Sequence, residues 1–471
     1  MADLFALLVQ SGNSLAAHTA VVTAAGNNIA NANTPGYSRQ IPTLVANPAT
    51  DALGLGAVGT GVSLANITQA RDQFVERQMP NALGAQAYSQ SQSDALAGLH
   101  ALDPDLQGGL TSTLGAFYSS LQTWSQNPGD TALRQGVLGS AQALATSFQQ
   151  TSSGIESART GLDAAIAGKV NEVNIAAQKV ADLNGQILIA RTSGGQPNDL
   201  IDARQIAIDQ LATLTGGIPY DSGQGNISIA LPGGTALVSD TRAAVLSVAA
   251  DATNGGHSKL RITRADGSGP VDWTGPPFGG TVGGLMGARD GALKTASNSV
   301  DQLAFDLGTA VNTVHQAGFA MDGSPGLALF SLPATSTAAA SQIAVNATVA
   351  ADPRLLAAAT TTPAGSGDNR NVLALIATQR QALAGGADPV ATLQSITTSF
   401  GSSTAQAKAL ADHDGAIANH LTTLRDSASG VSIDEEMINL TKAQKAYEAV
   451  SKVIATANQM LEALMTIGGT T

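Results

Sequence analysis

Both ends of this chain of 471 residues carry apolar side chains at the spacing of a helix that packs along one partner helix. In residues 4–31 the repeating positions are Leu4, Leu8, Ser11, Leu15, His18, Val22, Ala25 and Ile29. In residues 432–467 they are Leu440, Ala443, Tyr447, Val450, Ile454, Ala457, Leu461 and Leu464. Because an isolated helix with such a seam in water is marginally stable, both ends need partners, either each other or other subunits.

Two readings of these terminal seams are open. The first is that they are ordinary amphipathic helices docked on a globular core, which is the commoner case for amphipathic helices in general. Here the seams are narrow and lie at the extreme ends, where most chains fray. These two features favour long terminal helices that form a coiled-coil pair and mediate assembly.

Composition and charge exclude several classes of protein. Only 12% of the residues are charged and 3% are aromatic, so the helices are expected to pack through Leu, Val, Ile and Ala. A formal net charge of −12 argues against nucleic-acid binding, which needs basic surface. The absence of cysteine excludes disulfides, thiolate catalysis and Cys-ligated metal sites.

The sequence also predicts neither a signal peptide nor a membrane span. No Lys precedes Lys169 and no Arg precedes Arg39, so the N-terminus lacks the basic region of a secretory signal peptide. No apolar run approaches the roughly 18 residues that crossing a bilayer requires. We therefore expect no membrane insertion.

Helical and β-prone segments alternate in a way that predicts a mainly α fold with an inserted β domain. Short β-prone runs separated by Gly, Pro, Asn and Asp lie between two long helical regions. The predicted divisions are 1–65 and 430–471 for the halves of a terminal coiled-coil domain, 66–215 and 285–429 for a discontinuous helical-bundle body, and 216–284 for a small antiparallel β domain.

Enzymatic readings are weak, and we predict no catalytic, cofactor-binding or metal site. Residues 54–59 spell GxGxxG, but no convincing strand precedes them and no helix follows. Asp103 begins a calcium-loop-like run whose twelfth position is Leu114 rather than the required Glu. His413 and His420 could share a helix face, which is more typical of a polar surface than of a metal site.

Residues 27–40 read Asn-Asn-Ile-Ala-Asn-Ala-Asn-Thr-Pro-Gly-Tyr-Ser-Arg-Gln, a helix end followed by a turn and an extended exit. This segment strongly resembles the motif shared by bacterial flagellar rod, hook and hook-associated proteins. The positions that carry the motif are Asn28, Asn31, Thr34, Gly36, Tyr37 and Arg39.

Four further parts of the chain resemble the hook-associated protein 1 family, which lies at the junction of hook and filament. They are 59–62 with 71–74, 197–202, 283–290 with 315–323, and 430–447. The resemblance implies a structural, non-enzymatic and cofactor-free subunit of the extracellular flagellum that is secreted through the flagellar type III export apparatus.

The same resemblance implies the partners. They are further copies of the chain in a ring, the hook protein, the second hook-associated protein, and an export chaperone at the C-terminal helix. We assign assembly at the N-terminus to Leu4, Leu8, Leu15, Val22 and Ile29. We assign assembly and chaperone binding at the C-terminus to Leu440, Tyr447, Val450, Ile454, Leu461 and Leu464.

Two alternatives remain at this point. The N-terminal motif alone also fits a hook or distal rod subunit. A protein of a different class, an exported enzyme or adhesin with flagellar-type termini, would carry the same ends.

Overall fold

The computed structural model describes residues 2–51, 57–99, 101–103, 106–362 and 367–468. Half of the GxGxxG run at 54–59 and part of the run that starts at Asp103 lie outside these residues. The helices are α1 (Ala2–Ala30), α2 (Gln73–Ala97), α3 (Leu110–Gln126), α4 (Thr131–Thr192), α5 (Asn198–Thr215), α6 (Gly280–Gly287), α7 (Lys294–Gln316), α8 (Ala339–Gln342), α9 (Ala347–Ala351), α10 (Arg370–Ala377), α11 (Pro389–Ser429) and α12 (Ile433–Gly468). A π-helical segment, Ala288–Leu293, joins α6 to α7.

The strands are short, and every pair is antiparallel. They are β1 (Gln40–Ala46), β2 (Thr50–Asp51), β3 (Ala57–Val58), β4 (Val62–Gln69), β5 (Ile218–Gly223), β6 (Asn226–Ala230), β7 (Ala236–Ser239), β8 (Arg242–Ala243), β9 (Val245–Ala250), β10 (Ser258–Thr263), β11 (Val271–Asp272), β12 (Phe330–Ser331) and β13 (Ala344–Val345). The predicted architecture, mainly α with an inserted β region and long terminal helices, is confirmed.

A single helix of 62 residues, α4, runs through two hydrophobic cores. Its first half packs on α3 and α7 around side chains such as Trp124, Leu144 and Phe148. Its second half places Val173 and Val180 in the core of the β region. Full burial of one such aliphatic side chain contributes about 1.5–3 kcal/mol, so this continuous helix holds the two regions together.

The inserted β region lies between α5 and α6 in the chain. It consists of a four-stranded sheet in the order β5-β6-β7-β8 and a three-stranded sheet in the order β11-β10-β9. Their inner residues, including Ile229, Leu246 and Ile262, pack with α4 and α5. The edge strand β5 contains Pro219, which cannot donate a ladder hydrogen bond and so discourages pairing with another chain.

Two helix pairs and a β-ribbon complete the fold. Helix α1 packs against α12, and α2 packs against α11. The second pair shares a small core of Val75, Met79, Ala82, Ala418 and Leu421. Between α1 and α2, β1 pairs with β4, with a register shift between Thr43 and Leu44. In the described part of the chain no helix has the length and hydropathy of a membrane span.

Candidate functional site

The turn that follows α1 is built by the motif at residues 27–40. The amide of Thr34 donates to the carbonyl of Asn31, and the amide of Tyr37 donates to the carbonyl of Thr34. Gly36 has φ of +78°, a left-handed conformation that favours glycine. A β-carbon at Gly36 would lie 2.7 Å from the side chain of Ile206 on α5. Glycine therefore allows the turn to lie directly on α5.

Asn28 connects the last turn of α1 to the start of β1. Its Nδ2 donates to the carbonyl of Gln40 at 2.9 Å, and its Oδ1 accepts from the amide of Gln40 at 2.8 Å. The hydroxyl of Tyr37 donates to the same Oδ1 at 2.8 Å. Only 1% of Asn28 is exposed, so its hydrogen-bonding groups are satisfied by protein. The motif thus folds back onto its own helix.

Arg39 connects the motif to the C-terminal helix. Its Nε lies 2.8 Å from Oε1 of Glu436, and its Nη1 lies 3.0 Å from Oε2 of Glu435. Glu436 also accepts from Nδ2 of Asn28 at 3.1 Å, and its side chain is 4% exposed. The backbone amide of Arg39 donates to the carbonyl of Ser429, just before α12. Removing Arg39 would be costly because the buried charge of Glu436 would be left unpaired.

Asp202 connects the motif to the helical body. Its carboxylate accepts from both the amide and the hydroxyl of Ser38, and it accepts from the guanidinium of Arg71. Arg71 lies just before α2, so Asp202 brings the motif turn, α5 and α2 to one point. Asn28, Tyr37, Ser38, Arg39, Asp202 and Glu436 form what we call the terminal anchor.

Nearby carboxylates influence the pKa of Tyr37 in the terminal anchor. Burial, followed by the charges of Asp199, Asp202 and Glu436, raises the pKa of Tyr37 to about 12. Its hydroxyl therefore keeps its proton at neutral pH and can donate to Asn28. These hydrogen bonds and ion pairs join separate elements, as expected of a structural site.

The predicted motif residues have two different roles in the structure. Asn28, Tyr37 and Arg39 make the contacts between elements, whereas Asn31 and Thr34 bond within the turn and Gly36 supplies its backbone conformation. The site list taken from the sequence omitted Ser38, Asp202 and Glu436. All three lie inside segments that carried the family resemblance, which was the available signal.

The structure places the predicted N-terminal seam on a helix that contacts α12 but buries it only in part. Leu4, Leu8, Leu15, Val22 and Ile29 are half-buried. Smaller side chains of α1, namely Ser11, Ser14, Ala17, Ala24 and Ala25, are buried more fully. Ser14 lies against β4, because its hydroxyl is within 3.4 Å of the amide of Val62.

The C-terminal seam shows the same pattern. Ala443 and Ala457 of α12 are buried, and the larger Leu440, Val450, Ile454 and Leu461 are half-buried. Tyr447 and Leu464 are exposed by 39% and 48%. The α1–α12 contact therefore centres on small residues and leaves much of the larger apolar surface open.

Residues considered for chemistry are not brought together. His413 and His420 are both exposed on α11. Among the described residues no three His, Cys, Asp or Glu side chains are grouped in a way that could hold a metal ion. Asp434, Glu435 and Glu436 form the first turn of α12, where acidic side chains interact favourably with the helix dipole.

Comparison with known families gives two matches. Residues 101–330 match the model of the flagellar hook-associated protein FlgK helical domain. Residues 425–467 match the model of the flagellar basal body rod FlgEFG protein C-terminal region.

Full-length relatives and a solved structure agree with these matches. The chain is 26% identical to flagellar hook-associated protein 1 of Escherichia coli (strain K12), covering 98% of this chain and 99% of that protein. It is also 26% identical to flagellar hook-associated protein 1 of Bacillus subtilis (strain 168), covering 100% of both. The fold is similar to that of the flagellar hook junction protein FlgK from Burkholderia pseudomallei, with a TM-score of 0.67 and 16% identity over 75% of this chain and 100% of that chain.

Proposed function

Because the chain belongs to the family of flagellar hook-associated protein 1, a structural and non-enzymatic family of the bacterial flagellum, we propose that it joins hook to filament through its terminal helices. Its place is in the flagellum, outside the cell. In this proposal copies of the chain form a ring. The ring contacts the hook protein on one side and the second hook-associated protein on the other.

The observation that carries the proposal is the apolar surface left open on the paired helices. On α1, Phe5 and Val9 are exposed by 59% and 64%. On α12 the exposed apolar side chains are Ile433, Met437, Ile438, Tyr447, Val453, Met460, Leu464 and Met465. Exposed apolar side chains in this number on one helix pair are a feature of interaction sites. Neighbouring subunits that cover it would supply the free energy of assembly.

The terminal anchor supports the same proposal. Since Arg39 and Glu436 join α12 to the motif, and Asp202 joins the motif to α5, the helix pair is attached to the body at a fixed point. Force applied to the helical body would then reach the terminal helices through paired charges rather than through a flexible linker.

Export through the flagellar type III apparatus, with a chaperone on the C-terminal helix, completes the proposal. The half-buried Val450, Ile454 and Leu461 alternate with exposed apolar positions on α12, as in a helix that lies in a partner's groove. Replacing Ile454 and Leu461 with Asp should abolish both chaperone binding and assembly. The control is the double variant of exposed Thr456 and Gln459 to Asp, which should bind normally. Unchanged binding of I454D/L461D in calorimetry would place the chaperone site elsewhere.

Deleting the gene tests the function itself. We expect electron microscopy to show hooks without filaments, and the medium to contain unassembled flagellin. Absent hooks would assign the protein to the rod or hook instead. Intact filaments would overturn the junction role.

A further inference from the structure

A cavity of 300 Å³ lies beside the terminal anchor, between the motif turn and α5. One wall consists of Pro35, Gly36 and Tyr37 of the turn, and the facing wall contains Asp199 and Ile206 of α5. Ile206 is 45% exposed, so apolar surface is accessible at this cavity. The cavity therefore combines an apolar wall with a carboxylate.

The carboxylate of Asp199 is weakly used within its own chain. Its hydrogen-bond partner is Nε2 of Gln40, at 3.3 Å. Asp202, by contrast, is fully engaged by Ser38 and Arg71. Burial raises the pKa of Tyr37, and the charges of Asp199 and Asp202 beside it add to the rise. Such a cavity suits a lysine, whose methylene stem packs on apolar surface while its ammonium meets a carboxylate.

The described part of α12 carries a lysine that lies, along the helix axis, close to the level of the terminal anchor. Lys442 is exposed and forms no ion pair there. It lies six residues beyond Glu436, which contacts the motif, and six residues of helix span about 9 Å. Lys445 is already paired with Glu448, and Lys452 lies about 24 Å along the helix from Glu436.

We propose that the cavity between the motif turn and α5 receives Lys442 of a neighbouring copy of this chain, with Asp199 as its counter-charge. A neighbouring copy displaced perpendicular to the axis of α12, with little shift along that axis, would place its Lys442 at the level of the cavity. The contact is heterologous, since cavity and lysine are different surfaces, and contacts of that kind form a ring when the rotation between copies closes. The inference rests on the proposed assembly through the terminal helices and names one contact within it.

Cross-linking tests the contact in the assembled protein. The chain has no cysteine, so cysteines introduced by substitution are the only thiols on each copy. Flagella from cells that carry Asp199→Cys with Lys442→Cys should give a ladder of covalent oligomers with a short bismaleimide. The control, Asp199→Cys with Lys452→Cys, should remain monomeric. A monomer in both variants, or equal ladders in both, would overturn the proposal.

A charge exchange gives an independent readout. Asp199→Lys alone and Lys442→Asp alone should each raise flagellin in the medium at least about tenfold, because like charges would face each other at every contact. The double variant should restore filaments, and Lys452→Asp should have no effect. Failure of the double variant to restore filaments would overturn the contact. Intact filaments after gene deletion would instead overturn the proposed function, so the two failures are distinguishable.

Discussion

At the scale of single residues, one device recurs at four joints between a helix and a strand. In each, an asparagine donates to the carbonyl and accepts from the amide of one residue in a strand. The pairs are Asn28 with Gln40, Asn174 with Leu246, Asn184 with Ile227 and Asn312 with Phe330. The side-chain amide offers a donor and an acceptor, as a neighbouring strand would, so it satisfies the amide and carbonyl of one strand residue.

Replacing Asn174 with Asp tests how much these asparagine contacts contribute to the free energy of unfolding. The carboxylate keeps the acceptor for the amide of Leu246 but loses the donor to its carbonyl. We expect the free energy of unfolding to fall by about 1–3 kcal/mol, measured by urea denaturation. Asn171→Asp, at an exposed position of the same helix, is the control and should have little effect. Equal losses from both variants would contradict this account.

Asp209 predicts a pH dependence of stability. Burial first, and then the charge of Glu76, raises its pKa to about 6 from 3.8, although Gln205 and Arg425 oppose the rise. The neutral carboxyl thus favours the folded state. Its stabilising contribution is complete below the unfolded pKa and is lost as the pH rises through about 6.

The variant Asp209→Asn cannot ionise, so its stability should change differently with pH. Relative to the unchanged chain, the variant should gain about 2 kcal/mol in free energy of unfolding between pH 4.5 and pH 7.5. Thermal or urea unfolding across this range measures the difference. A difference that stays constant with pH would show that Asp209 has an ordinary pKa in the folded protein.

At the scale of elements, the helices were the most predictable part of the chain. The seams at residues 4–31 and 432–467 correspond to α1 and α12 within two residues, because apolar periodicity is a local property of sequence. The β1–β4 ribbon was not predicted. Its strands contain Pro42 and Asn66, and pair across an intervening segment with a register shift, so no local alternation marked it.

The site was predictable only in part, for the same reason. The motif residues are adjacent in sequence, so a resemblance could identify them. Asp202 and Glu436 lie 164 and 408 residues from their partners Ser38 and Asn28, and no spacing rule connects such positions. Their roles depend on the packing of α5 and α12 against the turn.

Glu436 should control how α12 docks. Glu436→Gln removes the buried charge that pairs with Arg39 while keeping the shape, so the partly buried guanidinium of Arg39 loses its buried counter-charge. Hydrogen exchange should become faster throughout residues 433–468 and remain unchanged in α4. Glu435→Gln is the matched control, because Glu435 is 61% exposed and contacts the same arginine. If both variants exchange alike, the buried pair does not hold the helix.

At the scale of the whole molecule, the large hydrophobic cores and the apolar surface proposed for assembly lie on different elements. The large cores lie around α3, α4 and α7 and in the β region, whereas the α2–α11 pair shares a core of five buried residues. The α1–α12 pair buries small side chains and exposes larger ones. In the proposed assembly, neighbouring subunits would complete the burial of the termini, whereas the body carries its own cores.

Hydrogen exchange of α1 and α12, compared between the purified monomer and isolated hook–filament junctions, tests this central claim most directly. We predict that both ends exchange much faster in the monomer than in the junction, where both are strongly protected, with exchange in the α4 core the same in the two states. Protection of both ends that is equally strong in the monomer would contradict the claim, because neighbouring subunits would then add nothing to the terminal helices.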